Sequence, residues 1–134
     1  MFQTLVVALD LAEDGDRALP VARALAMRGP VAVDLVTVSE PGMPTGADAY
    51  ELERRAVGHG WDPDAWTVVR DIDAAAGLLE HAARRTAPLL VMATSARPPM
   101  SSAMFGGVTR DVLRRSQGPV LLIGPDVADP WRAD

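Results

Sequence analysis

Cysteine and lysine are both absent from this 134-residue sequence, and all 13 basic residues are arginine. Without cysteine, the chain can form no disulfide, no thiolate zinc site and no cysteine nucleophile. Without lysine, it has no Schiff-base residue, no phosphate-loop lysine and no lysine general base. The two absences therefore exclude several large classes of catalytic and metal-binding site.

Positive charge and long apolar runs are also scarce. The formal net charge is −5, which disfavours nucleic acid and anionic membranes as main partners. No window of about 18 apolar residues occurs, so we expect neither a signal peptide nor a transmembrane span. The composition predicts a single cytoplasmic domain over residues 1–134, in which residues 125–134 form an extended tail.

Short apolar runs alternate with helical patterns along the chain. Nearly continuous runs rich in valine and leucine are typical of parallel strands buried on both faces. Strand and helix in strict alternation predict a doubly wound α/β sandwich with right-handed crossovers. The predicted strands are 5–9, 31–38, 66–69, 89–92 and 120–123, and the predicted helices are 17–27, 47–57, 74–85 and 107–115.

Ligands of such sheets bind beyond the carboxyl ends of the strands, where the strand order reverses. Asp10 closes the first strand, and two interpretations of it stay open: it accepts hydrogen bonds from a ribose or base, or it caps the next helix. Gly106 and Gly107 at a helix start allow the backbone to approach an anion, which Arg97 could pair with. Local composition alone favours an ordinary loop at these three positions.

Histidine is too sparse to build a metal or hydrolytic site. His59 lies in a turn pattern, and His81 is expected on the surface of its helix. Their spacing does not pair them as metal ligands, and Ser95 lacks the surroundings of a hydrolase nucleophile. We therefore expect no metal and no catalytic residue. Trp131 is expected to dock the tail or a partner.

Four motifs in the second half of the chain resemble the universal stress protein family. They are the run from Leu89 to Arg97, the triplet Gly106-Gly107-Val108, the stretch from Asp111 to Arg114, and the strand from Gly118 to Ile123. The first half is similar as well, with a strand ending at Asp10 and then Arg17-Ala18-Leu19. The matching segments follow one another in the family's order and spacing.

The resemblance implies a five-stranded parallel sheet in order 3-2-1-4-5, with helices on both faces, as in adenine-nucleotide alpha-hydrolase-like folds. Many members of the family are homodimers that pair through the last strand, and some bind ATP. Carried over to this sequence, the adenosine side is Asp10 and Val38. The phosphate side is Ala93, Ala96, Arg97, Gly106 and Gly107, and the dimer strand is Val120, Leu121, Leu122 and Ile123.

The chain departs from the family's nucleotide motif at several positions. Ala93 and Ala96 stand where the family has two glycines, and Gly107 replaces a serine or threonine. An added methyl disfavours a left-handed backbone by roughly 1–2 kcal/mol, and a lost charge-assisted hydroxyl contact costs about 1.5–3 kcal/mol. These changes together are therefore expected to lower the affinity for ATP by two or more orders of magnitude.

We accordingly expect a non-catalytic, dimeric, stress-linked regulatory domain with weak or lost ATP binding and an unidentified protein partner. The alternative is a nucleotide-dependent switch that holds ATP or AMP. A slow ATP hydrolase ranks last, because no base or metal set is evident. No cofactor is expected in the first case, and ATP or AMP in the second.

Overall fold

The computed structural model describes residues 2–10, 17–42, 46–58, 60, 65–93 and 107–124. All nine predicted elements form, each within two residues of its predicted ends. The strands are β1 (Thr4–Ala8), β2 (Ala32–Ser39), β3 (Ala65–Arg70), β4 (Pro88–Ala93) and β5 (Val120–Ile123). The helices are α1 (Ala18–Ala26), α2 (Gly46–Gly58), α3 (Ala74–Ala83) and α4 (Gly107–Arg115).

The five strands form one parallel sheet in the order β3-β2-β1-β4-β5. This confirms the predicted α/β fold and strand order. β1 lies at the centre, and its residues Leu5, Val6 and Val7 are at most 1% exposed. A strand in that position has neighbours on both sides and helices on both faces, which explains its continuous apolar sequence.

Two apolar clusters cover the two faces of the sheet. On one face, Leu19 of α1 and Leu52 of α2 pack with the side chains of β1 and β2 that point that way. On the other face, Leu78 of α3 and Val112 of α4 pack with Val6 and its neighbours. The helix following β1 and the helix following β4 therefore cover opposite faces. This divergence is the switch point at which doubly wound sheets bind ligands.

An aspartate, Asp73, caps the start of α3. The Asp73 side chain accepts a hydrogen bond of 3.0 Å from the backbone N–H of Ala76. The guanidinium of Arg115, at the end of α4, also contacts the Asp73 carboxylate, at 3.0 Å. The backbone hydrogen bond first, and then Arg115, lower the pKa of the Asp73 carboxyl group below its ordinary value. The cap thus stabilises α3 more strongly when Asp73 is ionised than when it is protonated.

Candidate functional site

The two residues predicted on the adenosine side, Asp10 and Val38, lie at the carboxyl edge of the sheet, where β1 and β2 end. Ala8 of β1 pairs with Val36 of β2, and the Leu9 N–H continues the ladder by donating 2.8 Å to the Val36 carbonyl. Asp10 therefore leaves the sheet beside the half-buried Val38, and it is itself exposed. The register of two neighbouring strands brings the predicted pair together.

The alternative role for Asp10, as a helix cap, is wrong. α1 begins at Ala18, and its N-cap residue is Arg17, which makes no side-chain capping hydrogen bond. Asp10 lies seven residues before that position. Asp10 therefore lies at the edge of the sheet and not at the start of a helix.

Arg55 of α2 also reaches this edge, which the sequence pattern did not predict. Its Nη1 lies 3.5 Å from the Asp10 carbonyl oxygen, and its Nε donates 3.1 Å to Glu51 Oε1. The Arg55 side chain is only 15% exposed, whereas that of Arg54 is 60% exposed. Arg54 therefore lies on the solvated face of α2, whereas Arg55 is largely covered at the edge of the sheet.

The sequence does carry a signal for the position of Arg55. Leu52 and Ala56 are the fully buried residues of α2, and Arg55 lies three residues after the first and next to the second. Hydrogen bonds from Arg54 and then Arg55 lower the pKa of Glu51 to about 2. Glu51 is therefore a fixed anion that orients Arg55 toward the edge of the sheet.

The predicted phosphate side is described at its two ends. Ala93 ends β4 next to β1, because Met92 pairs with Ala8. It is half-buried and packs against the apolar cluster of the α1–α2 face. Its backbone is not left-handed, since Ala87 is the one non-glycine with positive φ among the described residues. At Ala93 the methyl therefore matters through its volume and not through backbone strain.

Gly107 is the first residue of α4 and is exposed. A Cβ built on it meets no heavy atom within 4 Å. A side chain would fit there, so the absence of a hydroxyl is a property of the sequence and not a demand of the packing. The other predicted phosphate residues, Ala96, Arg97 and Gly106, lie outside the described residues.

A buried polar cluster lies on the α3 face, away from the carboxyl edge. Asp34 of β2 is 3% exposed, and its Oδ2 lies 2.5 Å from His81 Nε2 and 2.8 Å from Arg85 Nη2. Its Oδ1 accepts 3.0 Å from the Thr67 hydroxyl. His81 is 7% exposed, so the prediction that it lies on the helix surface is wrong. His81 can lie on the apolar face of α3 because the Asp34 carboxylate forms a hydrogen bond with its ring.

This cluster is not part of the crevice at Asp10. Asp34 precedes Val38 by four residues, which is about 13 Å along a strand. His81 therefore does not reach the edge as a general base. Within the described ranges, no group of three or more His, Asp or Glu residues could hold a metal ion. No helix of the described part is long and apolar enough to span a bilayer.

Among the described residues, β5 is an edge strand with a neighbour on the β4 side only. Its four residues are all apolar, and Val120, Leu121 and Leu122 are half-buried while Ile123 is buried. No charge or proline interrupts it. An apolar edge with unpaired backbone groups is a template for pairing with another strand.

The chain matches known proteins in sequence and in structure. The sequence model described as "Universal stress protein family" matches residues 1–124. Among curated proteins, none matches the chain.

Several solved structures share the whole fold. A universal stress protein in complex with cAMP is 27% identical with a TM-score of 0.73, and the match covers 92% of this chain and 97% of that one. A universal stress protein from Archaeoglobus fulgidus is 22% identical with a TM-score of 0.71, covering 92% and 99%. A universal stress protein from the same organism in complex with dAMP is 21% identical with a TM-score of 0.67, covering 91% and 98%. The chain belongs to the universal stress protein family.

Proposed function

We propose that the chain is a non-catalytic regulatory domain of the cytoplasm that forms a dimer through β5 and binds ATP weakly or not at all. Gly107 carries the proposal. The first turn of α4 presents no hydroxyl from this residue, although there is open space for one. A charge-assisted contact of that kind is worth about 1.5–3 kcal/mol, which corresponds to a loss of roughly 10- to 150-fold in affinity.

The side chain of Ala93 adds to this loss. It ends β4 beside β1, where a ligand at the switch point would approach the backbone. Its methyl packs with the α1–α2 cluster and takes up volume that a glycine would leave free. The same packing means that Ala93→Gly would restore space at some cost in stability.

The dimer is supported by the composition of β5. Two copies of this edge strand can pair antiparallel about a two-fold axis, which extends the sheet across both copies. The half-buried side chains of Val120, Leu121 and Leu122 would then be covered on their open side. In such a dimer the nucleotide crevices stay at the carboxyl edges, and a protein partner can read their state.

The binding test compares the wild type with a restored hydroxyl. Protein purified without added nucleotide is heat-denatured, the released small molecules are analysed, and ATP with magnesium is titrated by calorimetry. We expect no co-purified ATP and a Gly107→Ser affinity at least tenfold above that of the wild type. Gly29→Ser is the matched control, because its site is equally open and lies after α1, away from the crevice. Tight ATP binding by the wild type overturns the proposal.

A compact adenine nucleotide such as AMP or cAMP, acting as a switch, is the second candidate. Asp10 and Val38 still adjoin at the edge, and a relative that is 27% identical is described in complex with cAMP. A single phosphate group needs fewer contacts from the connection between β4 and α4 than a triphosphate does. In that case Asp10→Ala weakens the binding of AMP or cAMP at least tenfold. An unchanged affinity would show that the base does not lie at Asp10.

A further inference from the structure

A small apolar cavity lies beside the amino end of β5, far from the nucleotide crevice. Its volume is about 230 Å³, and its walls include Leu79 and Ala82 of α3, Leu90 of β4, Arg115 of α4 and Pro119. Small-molecule sites usually enclose roughly 300–1,000 Å³. This cavity is therefore too small for a cofactor and of a size for one or two protein side chains.

The geometry of a β5 dimer determines which chain segment passes this cavity. The inference rests on the antiparallel β5 pairing proposed above. In that pairing the end of one β5 lies opposite the start of the other, so the second copy's chain leaves its strand beside Pro119, at the mouth of the cavity. The protein's own tail leaves β5 at the other end, after Ile123. It would have to reverse and run back about 13 Å along the strand.

The composition of residues 125–134 suits the cavity. The segment contains Trp131, the largest apolar side chain available there, and three aspartates against one arginine. Tryptophan is a frequent interface anchor because it buries a large apolar area with little loss of side-chain entropy. Arg115 lines the cavity, and the exposed Arg84 follows Ala83, which also lines it. A cavity with apolar walls and arginines around it is complementary to an acidic segment with an aromatic anchor.

We propose that the cavity binds residues 125–134 of a second copy of this chain, with Trp131 as the anchor. The two tails then clasp the dimer reciprocally, since each copy offers one cavity and one segment. Nucleotide is not involved, and the contact lies at the end of the sheet opposite the crevice.

Because the chain has no cysteine, introduced cysteines are the only thiols present in a cross-linking test. Ala83→Cys places a thiol at the exposed rim of the cavity, and Ala128→Cys places one in the tail. The two single variants are mixed, allowed to exchange subunits and treated with a short bis-maleimide. We expect a covalent dimer in the mixture and at most traces with either variant alone. A variant carrying both substitutions that links only within one chain would overturn the proposal, and so would a mixture that gives no covalent dimer.

A second measurement separates this inference from the dimer itself. Sedimentation of Trp131→Ala is compared with that of the wild type and of Arg132→Ala, the neighbouring control. We expect the dimer dissociation constant to rise at least tenfold for Trp131→Ala and less than threefold for Arg132→Ala. A monomeric wild type would refute the proposed dimer. A dimer that Trp131→Ala leaves unchanged would refute only the role of the tail.

Discussion

Replacement of Asp34 by asparagine tests the buried polar cluster beneath α3. The Asp34 carboxylate is the common acceptor for three side chains, namely Thr67, His81 and Arg85. It joins β2 to β3 and to α3. Asp34→Asn keeps the shape but removes the charge, and it turns an NH₂ group toward the donors that the carboxylate had satisfied.

The expected loss follows from the exposure of the partners. Breaking a fully buried ion pair costs about 3–5 kcal/mol, but the Arg85 side chain is 38% exposed and water can solvate it after the change. We therefore expect Asp34→Asn to lower the free energy of unfolding by about 3 kcal/mol, at the low end of that range. Arg85→Met should cost about 1–2 kcal/mol, since its charge is partly hydrated already. Thr67→Val should cost about 1 kcal/mol, as for one hydrogen bond.

Urea unfolding followed by circular dichroism measures these values at neutral pH. The double variant of Asp34 and Arg85 closes a mutant cycle, and the coupling between the two side chains should be at least about 1 kcal/mol. A change of less than about 0.5 kcal/mol for Asp34→Asn would refute the reasoning. A coupling near zero would show that Arg85 is only a neighbour and not a partner.

Three further substitutions test local packing and the cap. Gly77→Ala should destabilise the protein in the urea assay, because the added Cβ would lie 2.9 Å from the Asp71 Cβ. This clash outweighs the preference of helices for alanine over glycine, which is about 1 kcal/mol. Gly58→Ala is the control and should be neutral or stabilising, because the space around Gly58 is open. Ala87→Gly should raise the free energy of unfolding by up to about 1 kcal/mol, since Ala87 has φ +44°; no gain would show that the strain is absent. Asp73→Ala should lower Tm near neutral pH. The pKa of Asp73 is lower in the folded protein than in the unfolded chain. Its contribution to stability is therefore present above the unfolded pKa, near 3.9, and is lost as pH falls through the folded pKa. A Tm deficit of Asp73→Ala that is equally large well below this pH range would contradict the cap.

The proposed nucleotide crevice and the proposed tail site lie at opposite ends of the same sheet. Gly107 and Asp10 lie at the carboxyl edge, whereas the cavity lies at the amino end of β5. The proposed ligand binding at one end and the proposed tail contact at the other can therefore be tested with separate variants. If the chain is a dimer and a nucleotide acts as its switch, the variants above show whether nucleotide binding and dimer formation are coupled.

The secondary structure followed from local sequence because each strand is a run of apolar residues and each helix has an apolar side. β5 was predicted at its observed ends, Val120 to Ile123. Asp73, whose residue type is common at helix N-caps, caps α3. These are short-range properties, since a strand buried on both faces needs apolar side chains throughout and a helix start needs an acceptor for its first N–H groups. The order of the strands came from the family resemblance, and the structure confirms it.

The partners of polar side chains came from the tertiary structure alone. His81 and Asp34 are 47 residues apart in the sequence, and nothing in either neighbourhood shows that they meet. Arg55 reaches Asp10 across 45 residues, although its neighbour Arg54 is exposed. Apolar residues reveal their burial by their pattern, whereas a buried charge depends on one particular partner. Which strand faces which helix decides that partner, and only the folded chain brings the two together.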